Sequence, residues 1–299
     1  MEALNAIVFI PHTDAPGHES SVVKEELLFV PLGKWMADAL VSAGVDQFFV
    51  VFKGEADETV KSYFPEDTRF IHSATDDPEV ELHNFLSCQK SGSRTLVVTR
   101  PVFLSSEHSA DIACARVNDP EKPIYRFAEN KKISRSGLYI IATELLMAEL
   151  RSGNGFDMPR ALMEAGDPIC EDAPIIENAW AVTRAAAIAK NHVCRKLVSS
   201  GVTVIDSAAA WISPDAQIGI GTVIYPNTVV EPGCVIGRNC VIGPNVHLKN
   251  ACVNDGVKLS FASAESRTLD KNLCPGRIVD EPAPQIAPEP EKKRFFKCK

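Results

Sequence analysis

The chain has 299 residues with 45% hydrophobic and 23% charged side chains, the composition of an ordinary folded protein with room for two domains. Its net charge of -8 argues against broad nucleic-acid binding. No apolar run reaches membrane-spanning length, the N-terminus MEALNAIVFIPHTD lacks the basic flank of a signal peptide, and nine cysteines without a CxxC pair read as reduced thiols of a cytoplasmic protein.

Residues 6–10 (AIVFI) predict a buried strand. Leu32 to Ala43 predicts a helix that Gly44 stops at the C′ position. Gln47 to Phe52 is a second strand, followed by a helical stretch from Glu55 to Tyr63. Arg69-Phe70-Ile71 and Thr95 to Thr99 are further strands, with a helix near Val80 to Gln89 between them. Strands alternating with helices imply βαβ units and a mostly parallel sheet. A longer helix is expected from Ala179 to Ser200, with Val182, Ala186, Ala189, Val193 and Leu197 on one apolar stripe and Gly201 as its stop.

From Trp211 to Val253 the chain repeats every six residues. Ile212, Ile218, Ile224, Val230, Ile236, Ile242 and Leu248 open the hexads, and Ala216, Thr222, Thr228, Cys234, Cys240, Val246 and Cys252 follow four positions later. Gly, Pro, Asp and Asn fill many turns, as in Tyr225-Pro226-Asn227 and Gly243-Pro244-Asn245. Neither helix nor ordinary strand has period six, whereas a prism-shaped parallel β-helix does, with three hexads to a coil. The repeat breaks at Val253, five residues after Leu248, and nothing after Phe261 resumes it, which leaves two to three coils. A stack this short needs cover from another domain or subunit. Cys234 and Cys252, eighteen residues apart, are expected to stack in adjacent coils about 4.8 Å apart, close enough for a disulfide but read here as packing. The stretch from Glu281 to Lys299, with Pro282, Pro284, Pro288 and Pro290 and a basic, Phe-Phe-containing end, reads as a disordered tail.

Arg-Lys-Leu-Val-Ser-Ser-Gly-Val-Thr-Val-Ile-Asp (195–206), Gly-Thr-Val-Ile-Tyr-Pro-Asn-Thr (221–228) and Val-Ile-Gly-Pro-Asn (241–245) resemble the entry into the β-helix of the bacterial bifunctional N-acetylglucosamine-1-phosphate uridyltransferase/glucosamine-1-phosphate acetyltransferase family. In the first half, Pro31-Leu32-Gly33-Lys34-Trp35-Met36 and Ser42-Ala43-Gly44-Val45-Asp46-Gln47-Phe48-Phe49-Val50-Val51 are similar to its Gly-Lys-Pro-Met and Ala-Gly-Ile-Asp-x-Ile-Val-Val-Val segments. The resemblance implies an α/β, Rossmann-like nucleotidyltransferase-type domain over 1–178, a connecting helix over 179–200, a short left-handed parallel β-helix over 201–262 and a tail over 263–299.

The family's phosphate loop is Gly-rich, because glycines bring backbone N–H groups to a triphosphate and a lysine offsets its charge. Here the loop reads Pro11-His12-Thr13-Asp14-Ala15-Pro16-Gly17-His18, where two prolines remove donors and Asp14 adds a negative charge. The family lysine falls on Glu26, with Lys24 two residues away. A Gly-Asp that holds Mg²⁺ in the family is replaced at the end of the 95–99 strand by Arg100-Pro101, and of the two metal ligands the resemblance keeps only Asn178. The uracil-reading and sugar-reading segments have no good counterpart; Asp77 to Asn84 and Gly153 to Pro159 occupy their places. The later β-helix coils that carry acetyl transfer are missing, and His247 matches no catalytic position.

Two functions follow as expectations. One is a sugar-nucleotide pyrophosphorylase-like protein with weak or no catalysis and a binding or assembly role. The other is a working nucleotidyltransferase that makes a nucleotide sugar with Mg²⁺, its phosphates contacted by His12, Lys24, Lys34 and Arg100. In either case the expected ligand is a nucleotide sugar or sugar phosphate, and the expected partner is the chain itself, as a homotrimer through the β-helix.

Overall fold

A computed structural model describes residues 4–10, 22–52, 57–72, 77–90, 92–115, 122–127, 137–151, 167–170 and 173–272. These form two compact units, one ending at Ser199 but including Trp211–Pro214, the other made of Ser200–Ala210 and the chain from Asp215.

In the first unit, β1 (Leu4–Ile10), β4 (Gln47–Phe52), β5 (Arg69–His72), β6 (Arg94–Val98), β7 (Ile124–Phe127), β8 (Leu138–Ala142) and β9 (Asp167–Cys170) build one sheet in the order β5-β4-β1-β6-β8-β7-β9. The β5, β4, β1 and β6 strands run parallel, and β8 runs antiparallel to both β6 and β7. A short hairpin, β2 (Glu26–Leu27) with β3 (Val30–Pro31), lies outside this sheet. Every residue of β1 is buried, as a strand covered on both faces requires. One face packs on Met36, Leu40 and Ile112 through Leu4, Ala6, Val8, Val50 and Leu96. The other packs on Leu82, Phe85 and Leu146 through Ile7, Phe49, Val51 and Val97. The helices on these faces include α1 (Leu32–Ser42), α2 (Glu58–Lys61), α3 (Pro78–Ser87), α4 (His108–Ala115) and α5 (Thr143–Arg151).

The connecting helix spans Ala179–Ser199, and Gly201 follows it at φ 86°. Its buried face differs from the expected stripe. Ala181 and Ala185 are buried, Val182 and Ala186 are only half-buried, and Lys190, His192 and Cys194 join Ala189, Val193 and Leu197 on the inside. A count of apolar residues misses polar side chains that bury their stems or find partners.

In the second unit, two-residue and four-residue strands recur on the faces of a prism. The β10 (Thr203–Val204), β13 (Val223–Ile224), β16 (Val241–Ile242) and β19 (Lys258–Leu259) strands stack in parallel. So do β12 (Gln217–Ile218), β15 (Val235–Ile236), β18 (Cys252–Val253) and β21 (Thr268–Leu269), and β14 (Val229–Val230), β17 (Val246–Lys249) and β20 (Ala262–Glu265). The Trp211–Ile212 strand, β11, is counted with the first unit. The stacks are those of a left-handed β-helix. The inward column is buried at Ile212, Ile224, Val230, Ile236, Ile242 and Leu248, while Ile218 is half-buried. Asn227, Asn239, Asn245 and Asn250 turn the corners at φ between 47° and 57°, a left-handed region that asparagine tolerates better than most residues. At Gly219 adjacent coils approach so closely that a Cβ would lie 2.7 Å from the Gly237 carbonyl carbon.

The strands continue past the break at Val253, contrary to the expectation that nothing resumes after Phe261. Coil length falls from eighteen residues (Ile224 to Ile242) to seventeen (Ile236 to Val253) and sixteen (Leu248 to Ala264). Val253, Leu259 and Ala264 then carry the inward column. Hydrogen bonds between coils tolerate a tighter corner, whereas a fixed six-residue template does not. The same slip overturns the expected Cys234–Cys252 stacking. Cys252 pairs with Val235, so Ala251 falls beside Cys234, and both cysteines are free thiols. Of the tail expected over 263–299, residues 263–272 instead carry most of β20 and all of β21, and the rest, including the stretch from Glu281, lies outside the described residues.

Candidate functional site

The β6 strand is buried at every residue in the middle of the sheet, and the chain leaves it at Thr99, whose N–H donates to the Gly137 carbonyl at 2.9 Å. The next residues pair with a distant segment. The Phe103 N–H donates to the Pro174 carbonyl at 3.0 Å, the Ile176 N–H to the Pro101 carbonyl at 2.8 Å, and Val102 bridges Ile175. This pairing carries Arg100 to the start of the connecting helix, where its Nη1 donates to Glu177 Oε1. Asn178 comes next, and its Oδ1 accepts the Ala181 N–H at 2.9 Å, capping the helix. The positions that the resemblance singled out at Arg100 and Asn178 are therefore brought together in space through Glu177. A guanidinium and a carboxylate, 45% and 47% exposed, hold each other there, and the amide oxygen is engaged by the helix.

The other expected anion contacts lie apart from this pair. Lys24 ends a 3-10 turn over Val22–Lys24, and its Nζ pairs with Asp57. Asp57 also caps α2, its Oδ1 accepting from Thr59 N–H at 2.9 Å. The hydrogen bond from Lys24, followed by its charge and the two cap amides, holds the Asp57 carboxyl below its ordinary value of 3.8 against the opposing pull of desolvation. Burial pushes the nearby Tyr63 phenol above its ordinary value, with Lys24 acting against that shift. Lys34 points along α1 to Asp38 at 2.6 Å, an i,i+4 pair. Glu26, at the position of the family lysine, is exposed on β2. His12 and the whole 11–18 loop lie outside the described residues, as does the Gly153 to Pro159 segment. Asp77 to Asn84 forms the start of α3, with Asp77 capping it through the Glu79 N–H at 3.1 Å. His247 is half exposed on β17, where Nε2 faces Glu231 Oε1 at 2.6 Å.

Sequence reasoning found the cations and missed their partners, Asp57 and Glu177. No local signal marks either one, because each meets its lysine or arginine only through the tertiary path.

The double role of Asp57 gives a testable expectation. Asp57→Ala should cost about 1 kcal/mol of stability, and Asp57→Asn should cost less because it keeps the cap. A carboxyl whose folded value lies below its unfolded value stabilises above the unfolded value and loses that stabilisation as pH falls. Urea unfolding of the parent chain should therefore weaken below about pH 4, and the part due to Asp57 should be missing in Asp57→Asn.

The family model of the bacterial transferase hexapeptide (six repeats) matches residues 215–250. The bifunctional protein GlmU of Acetivibrio thermocellus is 25% identical across 85% of this chain and 66% of its own length. The chain is thus similar to GlmU over most of its length, at low identity, and carries the hexapeptide repeat. The bifunctional protein GlmU of Geobacillus sp. (strain WCH70) is 32% identical over 44% of this chain and 29% of its own length, and that of Exiguobacterium sp. (strain ATCC BAA-1283 / AT1b) is 34% identical over 40% and 30%. The GlmU-like chain thus spans less than a third of these last two relatives. Among solved structures, 4-diphosphocytidyl-2C-methyl-D-erythritol synthase from Anaerococcus prevotii aligns with a TM-score of 0.44 and 12% identity, over 63% of this chain and 96% of that one. Among the described residues no helix is long and apolar enough to cross a membrane.

Proposed function

We propose that this chain is a sugar-nucleotide pyrophosphorylase-related protein with weak or no catalysis, which binds a nucleotide sugar or sugar phosphate and serves as an assembly module. The observation that carries this reading is the Arg100–Glu177 pair beside Asn178. Magnesium between phosphates is held by oxygen donors, carboxylates above all. At the corresponding place this chain offers a guanidinium, which repels a cation, a carboxylate already paired with it, and an amide oxygen engaged as a helix cap. These residues do not fit the metal, and no transfer step is drawn through it.

An exposed guanidinium suits a phosphoryl oxygen directly, as a two-pronged donor that needs no metal between them. Titration calorimetry with UDP-N-acetylglucosamine, UTP and sugar phosphates, each with and without Mg²⁺, tests the reading. Binding is expected to be the same with and without the metal. Tightening by tenfold or more on adding Mg²⁺ would argue that a metal-dependent site has been rebuilt from other residues.

The assembly role rests on the outer surface of the second unit, which exposes Ile205, Ile220, Tyr225, Val235 and Phe261. Apolar surface of this kind is favourably covered by a like subunit. A homotrimer is expected in sedimentation velocity, and a clean monomer at micromolar concentration would count against it.

A further inference from the structure

The first unit carries a second polar cluster, away from the Arg100–Glu177 pair. Ser105 lies in the stretch between β6 and α4, and His192 lies on the connecting helix. They are 2% and 5% exposed. Ser105 Oγ is hydrogen-bonded to His192 Nδ1. The direction of that bond follows from a second histidine. The backbone N–H of Ser105 donates to His108 Nδ1 at 2.9 Å. An amide N–H only donates, so this nitrogen carries no proton. Ser105 Oγ also lies 3.2 Å from His108 Nδ1, but the amide already occupies the in-plane lone pair there. The hydroxyl is thereby directed to His192 Nδ1, which places the proton of the neutral His192 ring on Nε2.

That Nε2 faces Glu107 Oε2 at 3.5 Å, and the same oxygen accepts from Arg195 Nη1 at 3.1 Å. Hydroxyl, imidazole and carboxylate therefore follow one direction of proton donation, the order needed for a nucleophile, its base and the group that orients the base. The His192 ring is held between Phe103 and His108, at centroid distances of 6.0 and 5.4 Å. Capping of α4 accounts for the bonds between Ser105 and His108, but it needs neither His192 nor Glu107. A pocket of about 540 Å³ opens beside the cluster, lined by Ser105, Glu107 and His192 together with Trp35 and Lys196. Its volume is that of a small-molecule site, and Trp35, Val193 and Pro214 give it apolar wall among serines and charged side chains.

We propose that Ser105, His192 and Glu107 form a nucleophilic relay that hydrolyses a short-chain carboxylic ester bound in this pocket. Ser105 Oγ attacks the ester carbonyl carbon as its proton passes to His192 Nδ1. The bond from that carbon to the alkoxy oxygen breaks, and the departing alcohol takes the proton from Nδ1. A water molecule, deprotonated by the same nitrogen, then attacks the acyl-serine and restores the hydroxyl, so that ester and water yield acid and alcohol. His192 is a catalytic residue on this reading. Glu107 is a positioning residue that holds the ring by its Nε2 proton.

The test is to treat the full chain with a fluorophosphonate, which loses fluoride on forming a bond to an activated serine, and to map the adduct by peptide mass spectrometry. One adduct is expected, on Ser105. His192→Asn should slow its formation on the order of 10²–10⁴-fold, the usual contribution of a positioned base. Glu107→Gln should slow it as well and Glu107→Asp should recover part of the rate, a rescue that a purely structural carboxylate would not give. Absence of an adduct on Ser105 overturns the proposal, as does a labelling rate that His192→Asn leaves unchanged. Mapping on the unsubstituted chain decides the matter even if a variant fails to fold.

Discussion

Ile236→Asp should lose about 4 kcal/mol or more of stability and unfold the β-helix at temperatures where the parent chain stays folded. Ile236 is 2% exposed on β15, stacked between Ile218 of one coil and Val253 of the next. Its neighbours in the inward column are aliphatic, so a carboxylate there has no donor to meet it. The alternatives are an unpaired buried charge or a disrupted coil, and both are costly because each coil is stable only against its neighbours. Gln217→Asp, one residue from the same column but exposed, should change stability by no more than about 0.5 kcal/mol. Thermal unfolding followed by circular dichroism checks the pair. Similar melting of the two variants would mean that the inward column does not hold the coils together.

With UTP, N-acetylglucosamine-1-phosphate and Mg²⁺, the purified chain should release pyrophosphate at least about a thousandfold more slowly than the order of 10 s⁻¹ typical of enzymes. Nucleotidyl transfer depends on positioned charge around the phosphates. Here Arg100 stands at the end of β6 with Glu177 on it, Lys24 is engaged by Asp57, and Pro11 and Pro16 lack the N–H groups a phosphate loop supplies. Arg100→Asp would free Glu177 and add a second carboxylate beside it. That variant should still fail to release pyrophosphate at an enzymatic rate, because the lysine and the amide donors would remain missing. A coupled pyrophosphate assay on both proteins measures this. Turnover by the parent chain near 10 s⁻¹ would replace the binding reading with an enzymatic one.

The parts of the molecule legible in the sequence are those with local periodicity. The Gln47–Phe52 strand, the Leu32–Ser42 helix and the hexads from Ile212 to Leu248 fall where an apolar run, a glycine stop and period six put them. Legibility fails where the period changes. The coils after Leu248 shorten by one and then two residues, so a six-residue template loses Val253, Leu259 and Ala264, and it also mispairs Cys252. In the connecting helix, Lys190 and His192 are buried although their residue types suggest otherwise, because Lys190 lies over the Trp211 ring at 4.0 Å and His192 has Ser105.

By itself, the sequence determined which residues face inward in the β-helix as far as Leu248, the mainly parallel order of the sheet, and the presence of Glu26 and Arg100 where the resembled family has a lysine and an aspartate. These properties depend on backbone geometry over a few residues, or on side-chain chemistry alone. Only the tertiary structure decided what those charges do. Arg100 meets Glu177 across 77 residues, and Ser105 meets His192 across 87. Such pairs form because strand pairing brings the chain from Pro101 to Phe103 beside Pro174 to Ile176 and packs the connecting helix against the segment before α4. A charge or a hydroxyl selects its partner by distance in space, and distance in space is set by the whole path of the chain between them.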